Sequence, residues 1–322
     1  MKRGIRTIIL LMVLFFTIPQ PALAAQLLIP GGQLVGLELS NDTVTVAAFD
    51  DSCGAAAREA GLQIGDQILS VDGREVHSAE DVRRALKSCG GEVELDVLRG
   101  SKRLKLRLTP SESREGRRLG VYLRQGIAGV GTVTFYDPET DTFGTLGHGV
   151  SDGKGNLLRM TQGRACDASV ASVKKGKSGD PGQLRGSADA DALLGKITKN
   201  TPQGVFGRSP QGVPGEPLPI AAYEDIHTGA AAIRSTVEGD SVREYSVEII
   251  KIYPKDRSDC RNFLLKVTDP ELLQATGGIV QGMSGSPIIQ DGKLIGAVTH
   301  VLVNSPDTGY GIFIDNMLDA AK

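Results

Sequence analysis

The sequence predicts a mainly β protein of two folded units, a small α+β unit on the N-terminal side and a larger β-barrel unit after it. Three observations lead there. At 322 residues the chain exceeds what one hydrophobic core usually serves. Residues 26–110 alternate between strand-like and helix-like patterns within a short span, whereas residues 119–322 carry short apolar runs cut by Gly, Pro and Asp turns. Between them, residues 111–118 are polar and rich in Ser, Glu and Arg, the composition of a linker.

In the first unit, Leu34 to Leu39 and Val44 to Ala48 read as strands, and Ala55 to Ala60 as a short helix closed by Gly61. Gly65 to Gly73 supplies a turn, a strand and an Asp-Gly turn. A second helix begins at Ser78, a good N-cap, with Glu80 and Asp81 in its first turn and an apolar stripe of Val82, Ala85 and Leu86. Alternating strands at 93–98 and 104–108 complete it. In the second unit, strand-like runs fall at 131–136, 169–173, 245–253, 263–268, 293–303 and 310–314, with little helical periodicity, so a barrel or a pair of small barrels is expected.

Composition fits. Hydrophobic residues make up 40% of the chain, with 41 Gly, 8 Phe, 6 Tyr and no Trp, as in a loop-rich β protein with small core side chains. The net charge of −2, without basic or acidic blocks, excludes a nucleic-acid groove, and Lys174-Lys175-Gly176-Lys177 reads as a solvated loop. Lys2, Arg3 and Arg6, an apolar run from Thr7 to Ile18 and Ala22-Leu23-Ala24-Ala25 form the three parts of a secretory signal over residues 1–25. The run is shorter than the roughly 20 residues a spanning helix needs, which favours cleavage near Ala24 over retention as an anchor. The four cysteines, Cys53, Cys89, Cys166 and Cys260, lack metal-ligand spacing, and no metal or other cofactor is expected. An exported chain leaves both disulfides within each unit and free thiols open.

Chemistry points to Gln281-Gly282-Met283-Ser284-Gly285-Ser286-Pro287. A serine between glycines on a tight turn can be held rigidly, and glycine backbone freedom lets successive N–H groups aim at a developing negative charge. Gly282 and Ser284 are the expected donors, and Ser284 rather than Ser286 the nucleophile, because Gly282 lies two residues before it. Taken alone, the heptamer is also an ordinary Gly/Ser corner. A serine hydroxyl needs a base, and of four histidines only His148, in Leu146-Gly147-His148-Gly149, stands on a glycine-flanked loop; His77 belongs to the first unit and His227 to a polar segment. A carboxylate orients such a base. Asp152, Asp167, Asp189 and Asp269 are candidates by position, and Asp269 follows an apolar strand 15 residues before Ser284. Asp269-Pro270-Glu271 is equally a helix start, with Asp as N-cap and Pro first in the helix.

Ala60-Gly61-Leu62-Gln63-Ile64-Gly65-Asp66-Gln67-Ile68-Leu69-Ser70-Val71-Asp72-Gly73 resembles the central signature of bacterial PDZ domains. That resemblance implies a groove in which a peptide adds as a strand, with Leu34, Val35, Gly36 and Leu37 as carboxylate loop and edge and the helix from Ser78 to Ser88 as the far wall, or a groove that only clamps the chain's own segments. The serine turn, with Gly292 to His300 and Gly309-Tyr310-Gly311 after it, resembles chymotrypsin-like serine proteases. The order of signal segment, PDZ domain, Leu146-Gly147-His148-Gly149 and Gly277-Gly278-Ile279-Val280 leading into the serine turn is similar to the stage IV sporulation protein B peptidases.

Resemblance to that family implies His148 as general base, Asp269 as its carboxylate and Ser284 as nucleophile, although its Asp-to-Ser spacing is shorter than in ordinary chymotrypsin-like enzymes. It further implies limited proteolysis in the space between forespore and mother-cell membranes. The expected substrates are a membrane-bound inhibitor of an intramembrane protease, whose cleavage leads to late sigma-factor activation, and the chain's own N-terminal part. Association with a membrane through the N-terminus is part of the same expectation. Two readings compete: an exported quality-control protease of the high-temperature-requirement type, in which the PDZ domain follows the protease, and a PDZ scaffold on an inactive barrel, which needs no His148 and Ser284.

Overall fold

The computed structural model describes residues 26–114, 116–152 and 155–322. The signal segment, residues 1–25, lies outside them. Two strands, β1 (Leu27–Pro30) and β2 (Leu34–Ser40), come first. The next strands, β3 (Val44–Phe49), β4 (Gln67–Val71), β5 (Arg74–Glu75), β6 (Val93–Arg99) and β7 (Lys102–Leu108), form with the later β10 (Val121–Arg124) one sheet ordered β10-β3-β4-β6-β7, with β5 on β4. Helices α1 (Ala55–Glu59) and α2 (Ala79–Lys87) accompany it. The Ser78 side chain caps α2 by accepting the Asp81 N–H at 3.0 Å, and Val82, Ala85 and Leu86 are its buried face, as the stripe requires. Alternation in β6 buries Val93, Leu95 and Val97 in this unit's core. Asp66, 1% exposed, takes a two-pronged ion pair from Arg99.

The expected linker is a hairpin. Strands β8 (Ser111–Ser113) and β9 (Gly116–Arg118) pair, and Arg117 donates to the carbonyl of Cys89 just beyond α2.

The chain then enters β11 (Ile127–Asp137), β12 (Thr142–Thr145), β13 (Gln162–Lys174), β14 (Gln183–Thr201), β15 (Gly204–Arg208) and β16 (Leu218–Pro219). These join β1 and β2 in the order β12-β15-β14-β13-β2-β11-β1-β16, and a β11–β12 pairing closes six of the strands into a barrel. The last strands, β17 (Gly229–Thr236), β18 (Val242–Ile252), β19 (Phe263–Val267), β20 (Pro287–Gln290), β21 (Lys293–Leu302) and β22 (Ser305–Phe313), close a second six-stranded barrel. Helix α3 (Pro270–Thr276) follows β19, and α4 (Ile314–Ala321) ends the chain. A cluster of Leu28, Phe135, Phe206, Leu294, Ile312 and Met317 packs the two barrels together.

The fold is mainly β, with the smaller α+β unit ahead of most of the two-barrel unit, but one boundary differs from the expectation of a PDZ domain over 26–110. Strand β2 belongs to the first barrel and β1 extends its sheet beyond β11, so the PDZ unit is inserted between β2 and β11. The expected peptide-binding residues are corrected with it. Leu34, Val35, Gly36 and Leu37 lie in β2, buried and paired on one side with β11 and, from Val35 on, on the other with β13, with no free edge to offer. The groove of the PDZ unit instead runs between α2 and β10, a cavity of about 370 Å³ lined by Val82 and Leu86 of α2 and by Leu119, Gly120 and Val121. Leu119-Gly120-Val121 repeats the apolar-Gly-apolar pattern of Val35-Gly36-Leu37. The groove strand enters this sheet from the C-terminal side, an order that local pattern does not encode. All four cysteines are free thiols, with Cys53 and Cys89 in the PDZ unit.

Candidate active site

His148 stands on the loop leaving β12. Leu146 and Gly147 both take left-handed backbone angles, with φ of 69° and 66°, which turn the chain towards the second barrel. A Cβ on Gly147 would come within 2.8 Å of the Thr299 Cγ2 and 3.0 Å of the Ile312 Cγ2, so only glycine lets the loop approach β21 and β22 this closely. Asn200 at the end of β14 braces the far side of the loop. It accepts the Val150 N–H at 2.9 Å and donates to the carbonyls of Val150 at 2.8 Å and Leu158 at 3.0 Å.

The His148 Nδ1 lies 3.0 Å from the Gly149 carbonyl oxygen. A carbonyl only accepts, so Nδ1 carries the proton and Nε2 is the bare, basic nitrogen. Burial holds the imidazole below its ordinary pKa of 6.5, partly opposed by the Gly149 carbonyl. Its ring neighbour is His300 on β21, with centroids 5.1 Å apart. His300 keeps an exposed edge, yet dehydration of its ring and the neighbouring His148 and Arg261 push its pKa down to about 4.

Ser284 lies on the turn between α3 and β20. Asp269 caps α3 and the left-handed Gly277, φ 76°, ends it, delivering the chain into residues 278–286. The Ser284 hydroxyl donates to the Thr299 carbonyl at 2.7 Å. Ser286 is fully buried, its hydroxyl on that of Ser235 at 3.1 Å, so only Ser284 of the two serines reaches the cleft.

The peptide planes of this turn are pinned one by one. The Gln281 carbonyl accepts Leu184 N–H at 2.8 Å, the Gly282 carbonyl accepts the Thr132 hydroxyl at 2.8 Å, the Met283 carbonyl accepts Ser286 N–H at 3.0 Å, and the Ser284 carbonyl accepts Thr132 N–H at 2.9 Å. Met283 and Gly285 donate inward, to Val280 and Val298. The N–H groups left without an acceptor among the described residues are those of Gly282 and Ser284. These are the two residues that the sequence marks as expected donors, and Gly282, at φ 102°, holds an angle that side-chain-bearing residues rarely adopt.

The loop that carries His148 and the turn that carries Ser284 therefore meet at the barrel interface, where a Cβ on Gly285 would lie 2.0 Å from the Thr132 carbonyl oxygen and 2.6 Å from the Leu146 nitrogen. Asp269 is not brought to them. Its carboxylate accepts the N–H groups of Leu272 at 3.0 Å and Ser246 at 3.3 Å, so it acts as the helix cap that Asp269-Pro270 also predicted, rather than as a hydrogen-bond partner of His148. No carboxylate hydrogen-bonds His148 among the described residues. Thr132, Leu184 and Asn200 build the site without having been marked by the sequence; Asn200, in Asn200-Thr201-Pro202-Gln203-Gly204 before a turn, carried the one local signal.

Two six-stranded barrels with a serine turn on one and a histidine loop on the other, joined to a PDZ unit, define a serine peptidase. Residues 115–318 match the family of SpoIVB peptidases S55, and residues 54–99 match the PDZ domain family. The chain belongs to the SpoIVB peptidase S55 family. A 56-residue segment is 41% identical to serine protease HTRA1 of Xenopus tropicalis, covering 17% of this chain and 12% of that protein. Among solved structures, the active form of the Rv3671c protease of M. tuberculosis is similar at 16% identity and a TM-score of 0.35, over 61% of this chain and 73% of that one. The PDZ domain of an SdrC-like protein of Listeria monocytogenes is similar at 24% identity and a TM-score of 0.22, over 26% and 87% respectively.

Proposed function

We propose that this serine peptidase performs limited, regulatory endoproteolysis with Ser284 as nucleophile and His148 as general base. The observation that carries the reading is the pair of unengaged N–H groups on Gly282 and Ser284, held by neighbours that fix every adjoining peptide plane. Rotation about the Ser284 Cα–Cβ bond takes the hydroxyl from Thr299 towards Nε2 of His148. There its proton passes to the imidazole as the oxygen attacks the scissile carbonyl. The oxyanion is received by the two N–H donors, and the imidazolium returns the proton to the leaving amine. Water then hydrolyses the acyl-enzyme by the same route. Gly149, whose carbonyl fixes the His148 tautomer, does what the carboxylate of a triad does for orientation, without its charge.

Family membership supports a role in sporulation, in the space between forespore and mother-cell membranes, with a membrane-bound regulator of an intramembrane protease as substrate and late sigma-factor processing as the outcome. The N-terminal segment of the chain itself is the second substrate, and the signal-like residues 1–25 support export with either release or retention of an anchor. The PDZ groove between α2 and β10 is open to an added peptide strand. The test is self-processing of the full chain, followed by mass and N-terminal sequence: wild-type protein shortens at its N-terminal side and Ser284→Ala stays intact. Equal shortening of both would remove the self-processing role.

A further inference from the structure

We propose that Thr132 is a positioning residue for the oxyanion hole, acting on the nucleophile turn from the other barrel. The inference rests on the reading of Gly282 and Ser284 as the donors. Thr132 lies in β11 and is 1% exposed, and each of its polar atoms is committed at the barrel interface. Its N–H donates to the Ser284 carbonyl at 2.9 Å, its hydroxyl to the Gly282 carbonyl at 2.8 Å, and its own carbonyl accepts the Leu146 N–H of the histidine loop at 3.4 Å. One residue thus touches the chain on both sides of the nucleophile and the loop that carries the base.

The hydroxyl has a separate job from the backbone groups. The plane between Gly282 and Met283 separates the two donors, so its orientation sets where the Ser284 N–H points relative to the Gly282 N–H. That plane hinges on a glycine at φ 102°, whose lack of Cβ leaves other angles open. It is held at its oxygen by the Thr132 hydroxyl and at its nitrogen by the Val280 carbonyl, 3.1 Å from the Met283 N–H. Without the hydroxyl, a buried carbonyl loses its partner, and rotation of the plane is the nearest way to regain one. The donors would then no longer converge on one oxygen. The backbone bond to Ser284 does not depend on the side chain of a valine or serine at 132, which makes the hydroxyl separately testable.

Three proteins, wild type, Thr132→Val and Thr132→Ser, are compared by the rate of Ser284 labelling with a fluorophosphonate probe, whose tetrahedral phosphoryl oxygen occupies the oxyanion position. Hydrogen–deuterium exchange of the peptide covering residues 279–286 is the second readout. Valine keeps the shape and loses the hydroxyl; serine keeps the hydroxyl. The expected result is a fall of at least about tenfold in labelling for Thr132→Val, below the 10² to 10³ that loss of a donor itself costs. Faster exchange confined to 279–286 should accompany it, with Thr132→Ser within about threefold of wild type. Unchanged labelling in Thr132→Val, or an equal fall in both variants, overturns the proposal. Wild-type protein that labels elsewhere than Ser284 removes the underlying site reading and the proposal with it, an outcome distinct from a labelled wild type with an indifferent Thr132.

Discussion

The hydroxyl of Ser284 donates a 2.7 Å hydrogen bond to the carbonyl of Thr299, the residue next to His300, while the imidazole of His148 rests against the His300 ring. The Ser284 hydroxyl and the His148 imidazole thus each rest on a neighbour on β21. A looser arrangement of this kind is the one expected of a serine and its base before substrate arrives.

That arrangement sets the pH dependence. Burial holds His148 below 6.5, and its neutral form is the base, so activity is present above the His148 pKa and is lost as pH falls through it. The acid limb of kcat/KM is expected below pH 6.5. His300→Ala opens the His148 ring to water and should move that limb upward, towards the ordinary histidine value. A pH–rate profile of the two proteins checks both statements.

Asp269 separates two accounts of the same residue. As a helix cap it is replaceable by asparagine, an equally good N-cap, whereas alanine costs about 1 kcal/mol. As the carboxylate of a triad, asparagine would cost about 10⁴-fold in turnover. The hydrogen bonds to Leu272 and Ser246 predict that Asp269→Asn keeps most activity. Asp269→Ala should lower the melting temperature and lose activity in step with loosening of α3, which leads into the nucleophile turn. Turnover and thermal unfolding of both variants decide it.

Gly147→Ala should preserve both barrels and remove activity. Alanine at φ 66° is strained, and its Cβ would meet Thr299 at 2.8 Å, so the histidine loop must move away from β21. A misplacement of about 1 Å at a reacting group costs on the order of 10²-fold. Circular dichroism and turnover measured together check this outcome.

Much of this was legible in the chain. Ser78 with Val82, Ala85 and Leu86 spelled out α2, Asp269-Pro270 spelled out the start of α3, and the short apolar runs gave the barrels, because caps, stripes and alternation are local. Glycine spacing around a serine is a local pattern too, and Gly282 and Ser284, which it singles out, are the residues of this turn whose N–H groups lack an acceptor among the described residues. What escaped was long-range. Leu34 to Leu37 has the composition of a PDZ groove strand but pairs with β11 and β13, because insertion of one unit into another is decided by which sheet the flanking strands join. Thr132 stands 150 residues before Gly282, and nothing in the surrounding apolar run marks its hydroxyl for the nucleophile turn. The assignment of Asp269 to His148 followed family resemblance, while the helix-cap reading followed local chemistry and is the one seen in the structure.

The central claim is that Ser284, activated by His148, is an acyl-transfer nucleophile. Treatment of the folded full chain with a fluorophosphonate probe, followed by peptide mapping, tests it most directly. The account predicts a single modified site at Ser284, lost in Ser284→Ala and strongly slowed in His148→Ala, with Ser286 unlabelled in every protein. Labelling that persists in Ser284→Ala, or that is indifferent to His148, would contradict it.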